Sequence, residues 1–402
     1  MCQTTPVSYT NSSSSLETLL QNKNRTLFNV LDTMPHNQTI IDNVVKAWSK
    51  INSTIYNRIC CSVSGGSDSD LLVDICARCD VSNKVEYVWF DTGLEYVATK
   101  QHLDFLEQKY HITIIRRKAI KPIPLSCKEY GQPFLSKQVS EFMYRLQKYG
   151  FRWEDKPLDV LLKKYCKKAD KKKAKQLEQD VAIGKSVKWV KVNGAWYYGC
   201  VSALMWWCNA KQEDGSKSMF NIERNTYLKE FLIQNPPPFK IANKCCKYAK
   251  KDVTHQLIKE NAYDLMIIGV RKAEGGVRAT AYKSCFSHYD NRCDEYRPIF
   301  HYSNEDKDEY NRHCGIENSQ CYTVYGLCRT GCVGCPYGRN LEAELNVCEK
   351  YEPKLSRAVN NVFHDSYEYT KRYKNFQKEM KLKKKFQDTA DKIGNEQLTL
   401  NL

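Results

Sequence analysis

Residues 58–70 read Arg-Ile-Cys-Cys-Ser-Val-Ser-Gly-Gly-Ser-Asp-Ser-Asp, and they contain the most informative pattern in the chain. The apolar run Ile59–Val63 predicts a buried strand, and the apolar residues after the stretch predict a buried helix. Gly65 and Gly66, in the loop between them, can take positive φ and let a ligand approach the backbone. Strand, glycine loop and helix together point free backbone N–H groups at an anion. The alternative is an ordinary strand-to-helix turn, in which glycine and serine are common.

Composition sets the broad class of the protein. A chain of 402 residues with 42% hydrophobic residues can form one large core or two domains. It has no run of about 18 apolar residues, and its polar N-terminus lacks the apolar core of a signal peptide, so we expect a cytoplasmic protein without a membrane partner. The net charge of +16 favours a polyanionic partner such as nucleic acid, although solvated lysine-rich surfaces would give the same balance.

Alternating strand and helix patterns surround the glycine loop. We predict a helix at 40–51, strands at 85–90 and 112–115 with a helix at 99–110 between them, a helix at 252–261 and a strand at 265–270. This order predicts a doubly wound, mostly parallel α/β sheet.

Five segments follow from the patterning. They are a loosely structured lead-in (1–35), the nucleotide-binding part of the α/β core (36–120), a basic and aromatic insertion (121–240), the rest of the core with its cysteine motif (241–340), and a helical basic tail (341–402). The lysines of residues 163–175 and the tryptophans Trp189, Trp196, Trp206 and Trp207 suit nucleic-acid binding by phosphate contact and base stacking. A solvated lysine helix beside an ordinary hydrophobic core is the alternative.

The segment Phe90-Asp91-Thr92-Gly93-Leu94-Glu95 follows the second predicted strand. Ligands of open α/β sheets bind at the carboxyl ends of strands, so this segment should share a rim with the glycine loop. Asp91 or Glu95 would accept hydrogen bonds from a ribose or hold Mg²⁺. A helix N-terminal capping box made by Thr92 and Glu95 is the alternative.

A second polar segment, residues 269–278, follows the last predicted strand and contains Arg271 and Arg278. Guanidinium groups bind phosphate or sulfate oxygens bidentately, so both arginines are candidates for holding an anion on the same rim. Ordinary surface arginines are the alternative.

The chain has 19 cysteines, an odd number, and some of them are grouped. Cys245-Cys246 and Cys332-Xaa-Xaa-Cys335 supply four thiolates, the set that a 4Fe–4S cluster requires, and Pro336 follows the last of them as in ferredoxin-type runs. Zinc and buried free thiols are the alternatives.

The pattern Ser-Gly-Gly-Xaa-Asp-Ser of residues 64–69 resembles the PP-loop of the N-type ATP pyrophosphatases and of the sulfonucleotide reductases. The Asp-Thr-Gly at 91–93, the Cys-Cys pair, the Gly-Xaa-Arg…Arg element and the Arg-Thr-Gly-Cys-Xaa-Xaa-Cys motif follow in the order of the PAPS and APS reductases. The resemblance spans about residues 40–338 and implies a PP-loop fold of the ATP-pyrophosphatase type, with a cysteine-rich C-terminal region.

The resemblance also implies residue roles. ATP, APS or PAPS would be held by Ser64, Gly65, Gly66, Ser67, Asp68, Ser69, Asp91, Thr92, Gly93, Glu95 and Lys137. The catalytic candidates are Asp68, Arg271 and Arg278, with Mg²⁺ as cofactor, and the candidate ligands of the 4Fe–4S cluster are Cys245, Cys246, Cys332 and Cys335, with Cys328 as a substitute.

The chain departs from the reductases at its C-terminal end. PAPS and APS reductases carry a catalytic cysteine in a Glu-Cys-Gly-Leu-His tail, whereas no cysteine follows Cys348 here. His313-Cys314-Gly315-Ile316 is similar but precedes the cluster motif. Formation of a thiosulfonate on the enzyme therefore lacks an obvious nucleophile.

Three functional hypotheses follow. The first is an enzyme that cleaves ATP to AMP and pyrophosphate and adenylates an acceptor, in the manner of the ATP-pyrophosphatase component of DNA phosphorothioation systems. Its acceptor would be tRNA or DNA, modified with sulfur from a thiol or sulfur-donor protein. The second is a sulfonucleotide reductase that releases sulfite, using Cys314 or an external thiol. The third is a nucleotide- and cluster-bearing sensor without turnover.

Overall fold

A computed structural model of the chain describes residues 13–22, 24–211, 215, 216, 218, 221–275, 281–290, 292–338 and 340–400. The strands are β1 (Ile59–Val63), β2 (Val85–Asp91), β3 (Ile114–Lys118), β4 (Cys166–Lys168), β5 (Val190–Val192), β6 (Ala195–Gly199), β7 (Leu265–Ile268), β8 (Phe286–Ser287) and β9 (Asp294–Tyr296). The helices are α1 (Ser13–Gln21), α2 (Leu27–Leu31), α3 (Gln38–Ile51), α4 (Ser67–Cys79), α5 (Val97–Tyr110), α6 (Ile123–Tyr130), α7 (Lys137–Lys148), α8 (Leu158–Tyr165), α9 (Lys171–Ala182), α10 (Val201–Trp207), α11 (Leu228–Gln234), α12 (Lys244–Cys246), α13 (Asp252–Asn261), α14 (Asn304–His313), α15 (Gln320–Thr323), α16 (Leu341–Tyr351) and α17 (Pro353–Leu400).

Two units make up the structure. The first comprises Met1–Leu125, Cys245–Cys335 and Asn340–Val359, and the second comprises Ser126–Lys244, Pro336–Arg339 and Asn360–Leu402. Each unit has its own hydrophobic core.

The first unit is built on a six-stranded sheet with the order β3-β2-β1-β7-β9-β8. All neighbouring strands are parallel except β8 and β9, which pair antiparallel. The chain runs outward from β1 through β2 to β3 and then returns to the other side of β1 with β7. The predicted doubly wound, mostly parallel α/β sheet is therefore confirmed, and its direction of winding changes between β1 and β7.

Helices α3 and α4 contribute many of the buried side chains in the core of the first unit. Ile40, Val44, Ala47 and Ile51 of α3 are buried at helical spacing, and every residue of α4 from Ser69 to Cys79 is buried. Each large aliphatic side chain contributes about 1.5–3 kcal/mol when it leaves water. This burial fixes α4, and with it the loop that precedes the helix.

Residues 1–35 were expected to be a loosely structured lead-in, but the described part of this segment contains α1 and α2. Leu16, Leu19 and Val30 of these helices are buried in the same core as α4. Thr26 and Asn29 form a capping box at the start of α2. The apolar positions are spaced for packing on one face, a signal that the polar composition of the segment hid.

The second unit contains the antiparallel sheet β4-β6-β5 and a core of aromatic side chains. Asn193 and Gly194 both take positive φ and turn the chain between β5 and β6. An Asn-Gly pair in this conformation is the preferred two-residue hairpin turn.

Within the described residues, no helix is both long and apolar enough to span a membrane.

Candidate functional site

The glycine loop lies where the winding of the sheet changes direction, the position at which open α/β sheets bind ligands. Gly65 has a φ of +66°, and a Cβ atom added there would lie 2.8 Å from Thr99 Cγ2. Gly66 is the N-cap of α4, and the backbone N–H of Ser64 donates to Ser69 Oγ at 2.9 Å. The loop is therefore held in a conformation that only glycine adopts easily, with the N-terminus of α4 at its end.

The hydroxyl of Tyr322, on the short helix α15, lies over this N-terminus. It accepts hydrogen bonds from the backbone N–H groups of Ser67 and Thr330, at 3.2 and 3.3 Å, and lies 3.1 Å from Thr330 Oγ1. Burial raises the pKa of Tyr322, so the oxygen is a neutral acceptor. A tyrosine oxygen thus uses one of the N–H groups that an anion would bind.

Asp68, in the first turn of α4, is bound by two cations. Arg271 Nε lies 3.0 Å and Lys307 Nζ 2.6 Å from Asp68 Oδ1. Arg271 is 6% exposed and also donates to Ser303 O and Asn304 Oδ1. The structure thus joins two predicted catalytic residues directly and adds Lys307, which the sequence did not suggest because it stands alone among the acidic residues of α14.

Arg278, the other arginine predicted to bind phosphate, lies outside the described residues. Gly269, at the start of the same segment, approaches α4 closely, because a Cβ atom added there would lie 3.3 Å from Asp68 O. The segment after β7 therefore does share a rim with the glycine loop, as its position after a strand predicts.

A buried acid and a buried histidine lie beneath the loop. Asp70 is fully buried in α4, and its Oδ1 lies 3.0 Å from Nε2 of His102 on α5. Burial raises the pKa of Asp70, and the nearby His102 opposes that rise. The pair belongs to the packing of α4 against α5, and neither residue was among the predicted site residues.

The segment after β2 brings polar side chains to the same rim. Asp91 Oδ1 accepts a hydrogen bond from the N–H of Gly93 at 2.9 Å, and Thr92 Oγ1 donates to Glu95 at 2.8 Å. Burial raises the pKa of Glu95. The capping-box alternative is wrong, because α5 begins at Val97 and the contact between Thr92 and Glu95 lies in the loop before it.

The Cys-Xaa-Xaa-Cys segment packs directly on this loop. Cys332 Sγ lies 3.7 Å from Thr92 Oγ1, and the N–H of Val333 donates to Leu94 O at 2.9 Å. The N–H of Cys335 donates to Cys332 O at 3.3 Å, which closes the turn between the two cysteines. The turn is thereby fixed at the carboxyl end of β2.

Cys246, the second residue of the Cys-Cys pair, lies near Cys332 and leads into an irregular helix. The two cysteines end α12, and Lys247–Lys251 form a single π-helical turn before α13 begins. Single π-helical turns are rare in proteins, and many of those that occur lie at functional sites. Lys250, within this turn, has its pKa raised by the Cys332 sulfur first, and Glu95 and Cys246 act in the same direction. Lys250 therefore interacts electrostatically with one cysteine of each predicted pair, Cys332 and Cys246.

The four cysteines, all in the first unit, fit a cluster by their chemistry. They supply sulfur ligands only, and Lys250 provides a positive charge beside two of them, which suits a site of concentrated negative charge. In the ranges that the structure describes, no three His, Cys, Asp or Glu side chains are close enough together to hold a metal ion. The ligand assignment stays a prediction.

Lys137, predicted to face the nucleotide, is the first residue of α7 in the second unit. Its backbone carbonyl accepts a hydrogen bond from the Asn243 side chain at 3.1 Å. Its proposed role stays a prediction.

No protein-family model and no curated protein sequence matches the chain. Solved structures similar to it include PAPS reductase from Candida auris in a phosphate complex, with a TM-score of 0.33 and 10% identity, covering 81% of this chain and 97% of that one. Another is the U34-tRNA thiolase NcsA from Methanococcus maripaludis with its [4Fe-4S] cluster, with a TM-score of 0.31 and 8% identity, covering 84% and 79%.

A third is the NH3-dependent NAD synthetase from Campylobacter jejuni in complex with the nitrate ion, with a TM-score of 0.28 and 11% identity, covering 83% of this chain and 95% of that one.

Proposed function

We propose that the protein is a PP-loop enzyme that cleaves ATP to AMP and pyrophosphate and transfers the AMP to an acceptor. The observation that carries the proposal is the loop at residues 64–69, which combines a positive-φ glycine, a helix N-terminus and a position at the switch point of the sheet. Together these form a binding site for a polyphosphate, because backbone N–H groups and a helix dipole both favour negative charge.

The residues around the loop fit the charge changes of this reaction. An acceptor oxygen attacks the α-phosphorus, the bond to the bridging oxygen breaks, and pyrophosphate leaves with the electron pair. Arg271 and Lys307 both bind Asp68 in the first turn of α4, so they carry one more positive charge than that carboxylate balances, and they would stabilise the leaving group. Asp91 at the end of β2 would hold Mg²⁺, for which carboxylate oxygens are suitable ligands.

Sulfur chemistry at the acceptor would use the cysteine segment beside the loop. An iron–sulfur cluster, when bound by Cys245, Cys246, Cys332 and Cys335, supplies iron that can bind a sulfur atom. The contact between Cys332 and Thr92 keeps that segment at the rim where the nucleotide is expected. The acceptor is proposed to be tRNA or DNA, in agreement with the net charge of +16.

The reductase alternative requires a reactive thiol, and Cys314 is poorly suited to that role. It is 4% exposed, its Sγ lies 3.9 Å from Thr33 O, and burial raises its pKa to about 12. A thiol with that pKa is almost wholly protonated near neutrality and is a weak nucleophile. The adenylation proposal is therefore the better supported of the two.

A pyrophosphate-release assay tests the proposal. Purified protein is incubated with ATP, Mg²⁺ and either tRNA or single-stranded DNA, and free pyrophosphate and AMP are measured. Release of both in equal amounts supports the proposal. Nucleotide binding without release would favour the sensor, and thiol-dependent sulfite release from APS or PAPS would establish the reductase.

A further inference from the structure

A basic surface with one exposed aromatic ring lies on the second unit. Residues 163–175 contain eight lysines and one aspartate. They do not form one helix, as the solvated-helix alternative assumed, but are divided among the end of α8, β4 and the start of α9. Seven of these lysines are exposed and make no ion pair within the described residues: Lys163, Lys167, Lys168, Lys171, Lys172, Lys173 and Lys175.

The register of the sheet sets an aromatic side chain beside this charge. Lys167 of β4 lies directly opposite Tyr198 of β6, and residues opposite each other in an antiparallel pair project from the same face. Tyr198 is 43% exposed, and its ring centre lies 5.5 Å from that of Trp189. The tyrosine ring is thus supported on one side and open to solvent beside a lysine.

The other tryptophans of the predicted nucleic-acid surface are not available for stacking. Trp206 and Trp207 are buried in the core of the second unit, with 2% and 0% exposure. Trp196 is 8% exposed, and Lys191 Nζ lies 5.8 Å from the centre of its ring. The stacking surface is therefore narrower than the sequence predicted, and its exposed member is Tyr198, which the sequence did not single out.

We infer that this surface binds a single-stranded segment of nucleic acid, with one unpaired base stacked on Tyr198 and the flanking phosphates bound by the lysines, Lys167 among them. Supported aromatic rings in a basic surface bind single strands without strong sequence preference. A duplex hides the faces of its bases, so an exposed ring favours an unpaired base. The inference rests on the proposed function only in naming the class of acceptor.

Fluorescence anisotropy of a labelled single-stranded oligonucleotide, measured without ATP at several salt concentrations, tests the inference on the full chain. Tyr198→Ala should weaken binding about tenfold, whereas Tyr198→Phe, which keeps the ring, should bind like the wild type. Lys167→Gln should reduce the slope of log affinity against log salt by about one. The charge-matched control Lys46→Gln, in the first unit, should change neither quantity by as much.

Other outcomes overturn the inference. These are wild-type affinity in Tyr198→Ala, tighter binding of a duplex than of the single strand, or equal binding of polyglutamate, which would indicate an acidic protein partner. Circular dichroism of each variant excludes unfolding. Because the assay contains no ATP, loss of oligonucleotide binding and loss of pyrophosphate release are measured separately, and each can fail without the other.

Discussion

The hydroxyl oxygen of Tyr322 lies 3.2 Å from the backbone nitrogen of Ser67, the first residue of α4. That N–H group is one that a phosphate would bind at the helix N-terminus. A nucleotide bound at the loop would therefore compete with the tyrosine for this donor, and we expect the affinity for ATP to depend on the hydroxyl.

Tyr322→Phe should tighten ATP binding by about two- to tenfold, because a neutral hydrogen bond contributes about 0.5–1.5 kcal/mol and its loss removes the competition. Isothermal titration calorimetry with ATP and Mg²⁺ measures the change. Tyr325→Phe is the matched control, since the Tyr325 hydroxyl donates to Glu352 rather than to the loop. Weaker binding by Tyr322→Phe would instead show that the hydroxyl contributes to the nucleotide site.

Gly65→Ala should abolish ATP binding and lower the free energy of unfolding by about 1–3 kcal/mol, since the added Cβ meets Thr99 at a φ of +66°. Gly184→Ala is the matched control, because Gly184 has a φ of +75° and nothing lies within 4 Å of its added Cβ. The control should lose about 1 kcal/mol from the strain alone and bind ATP normally. Urea unfolding and calorimetry give both quantities, and normal ATP binding by Gly65→Ala would refute the loop assignment.

Cys332→Ser and Cys246→Ser should each lose most of the iron from anaerobically purified protein, whereas the wild type should hold about four irons with brown colour. Cys348→Ser should retain the iron, because Cys348 is buried in α16 and its thiol donates to Glu352 O, a contact that a serine hydroxyl can also make. Iron and sulfide analysis with a visible absorption spectrum measures the effect. A colourless wild-type protein with one zinc would overturn the assignment.

Cys314 should resist alkylation by iodoacetamide in the native protein at about pH 8, because burial raises its pKa to about 12 and leaves little thiolate. Raising the pH toward that value should increase the rate, since deprotonation creates the reactive form. Cys328, which is exposed, should be labelled first. Mass spectrometry of tryptic peptides reads both sites, and rapid native labelling of Cys314 would revive the reductase alternative.

Asp70→Asn should remove a pH-dependent part of the stability. The folded state raises the pKa of Asp70 above its ordinary value of 3.8, so the folded protein binds this proton more tightly than the unfolded chain does. The contribution is therefore full below about pH 4 and is lost as the pH rises through the folded-state pKa. Urea unfolding between pH 4 and pH 8, as approximate limits, should show this fall in the wild type and not in Asp70→Asn.

If the two stability profiles are parallel, the Asp70 carboxyl does not titrate differently in the folded state. His102→Gln serves as the companion variant, because His102 Nε2 lies 3.0 Å from Asp70 and opposes the rise of its pKa. Without His102 the folded-state pKa of Asp70 should rise further, so the free energy of unfolding should fall more steeply with increasing pH than in the wild type.

The sequence predicted the sheet well because its information is local. The run Ile59–Val63, the glycine pair and the apolar residues of α4 together determine one strand, one loop and one helix. The contacts that it missed join residues distant in sequence. Tyr322 is 255 positions from Ser67. Lys307, which binds Asp68, has no local sequence pattern that distinguishes it from a surface lysine. The role of Tyr198 depends on its pairing with Lys167 in the antiparallel sheet. The lysine-rich sequence alone does not reveal which residue of another strand lies opposite each lysine.

The tyrosine over the loop has one more consequence. Its hydroxyl also receives the N–H of Thr330, two residues before Cys332, so a single oxygen atom is shared by the nucleotide loop and the cysteine turn. A ligand that displaces it releases Thr330 as well. Ligand binding at the loop and binding at the cysteine turn would then be coupled. By thermodynamic linkage, each would change the binding free energy of the other by the same amount.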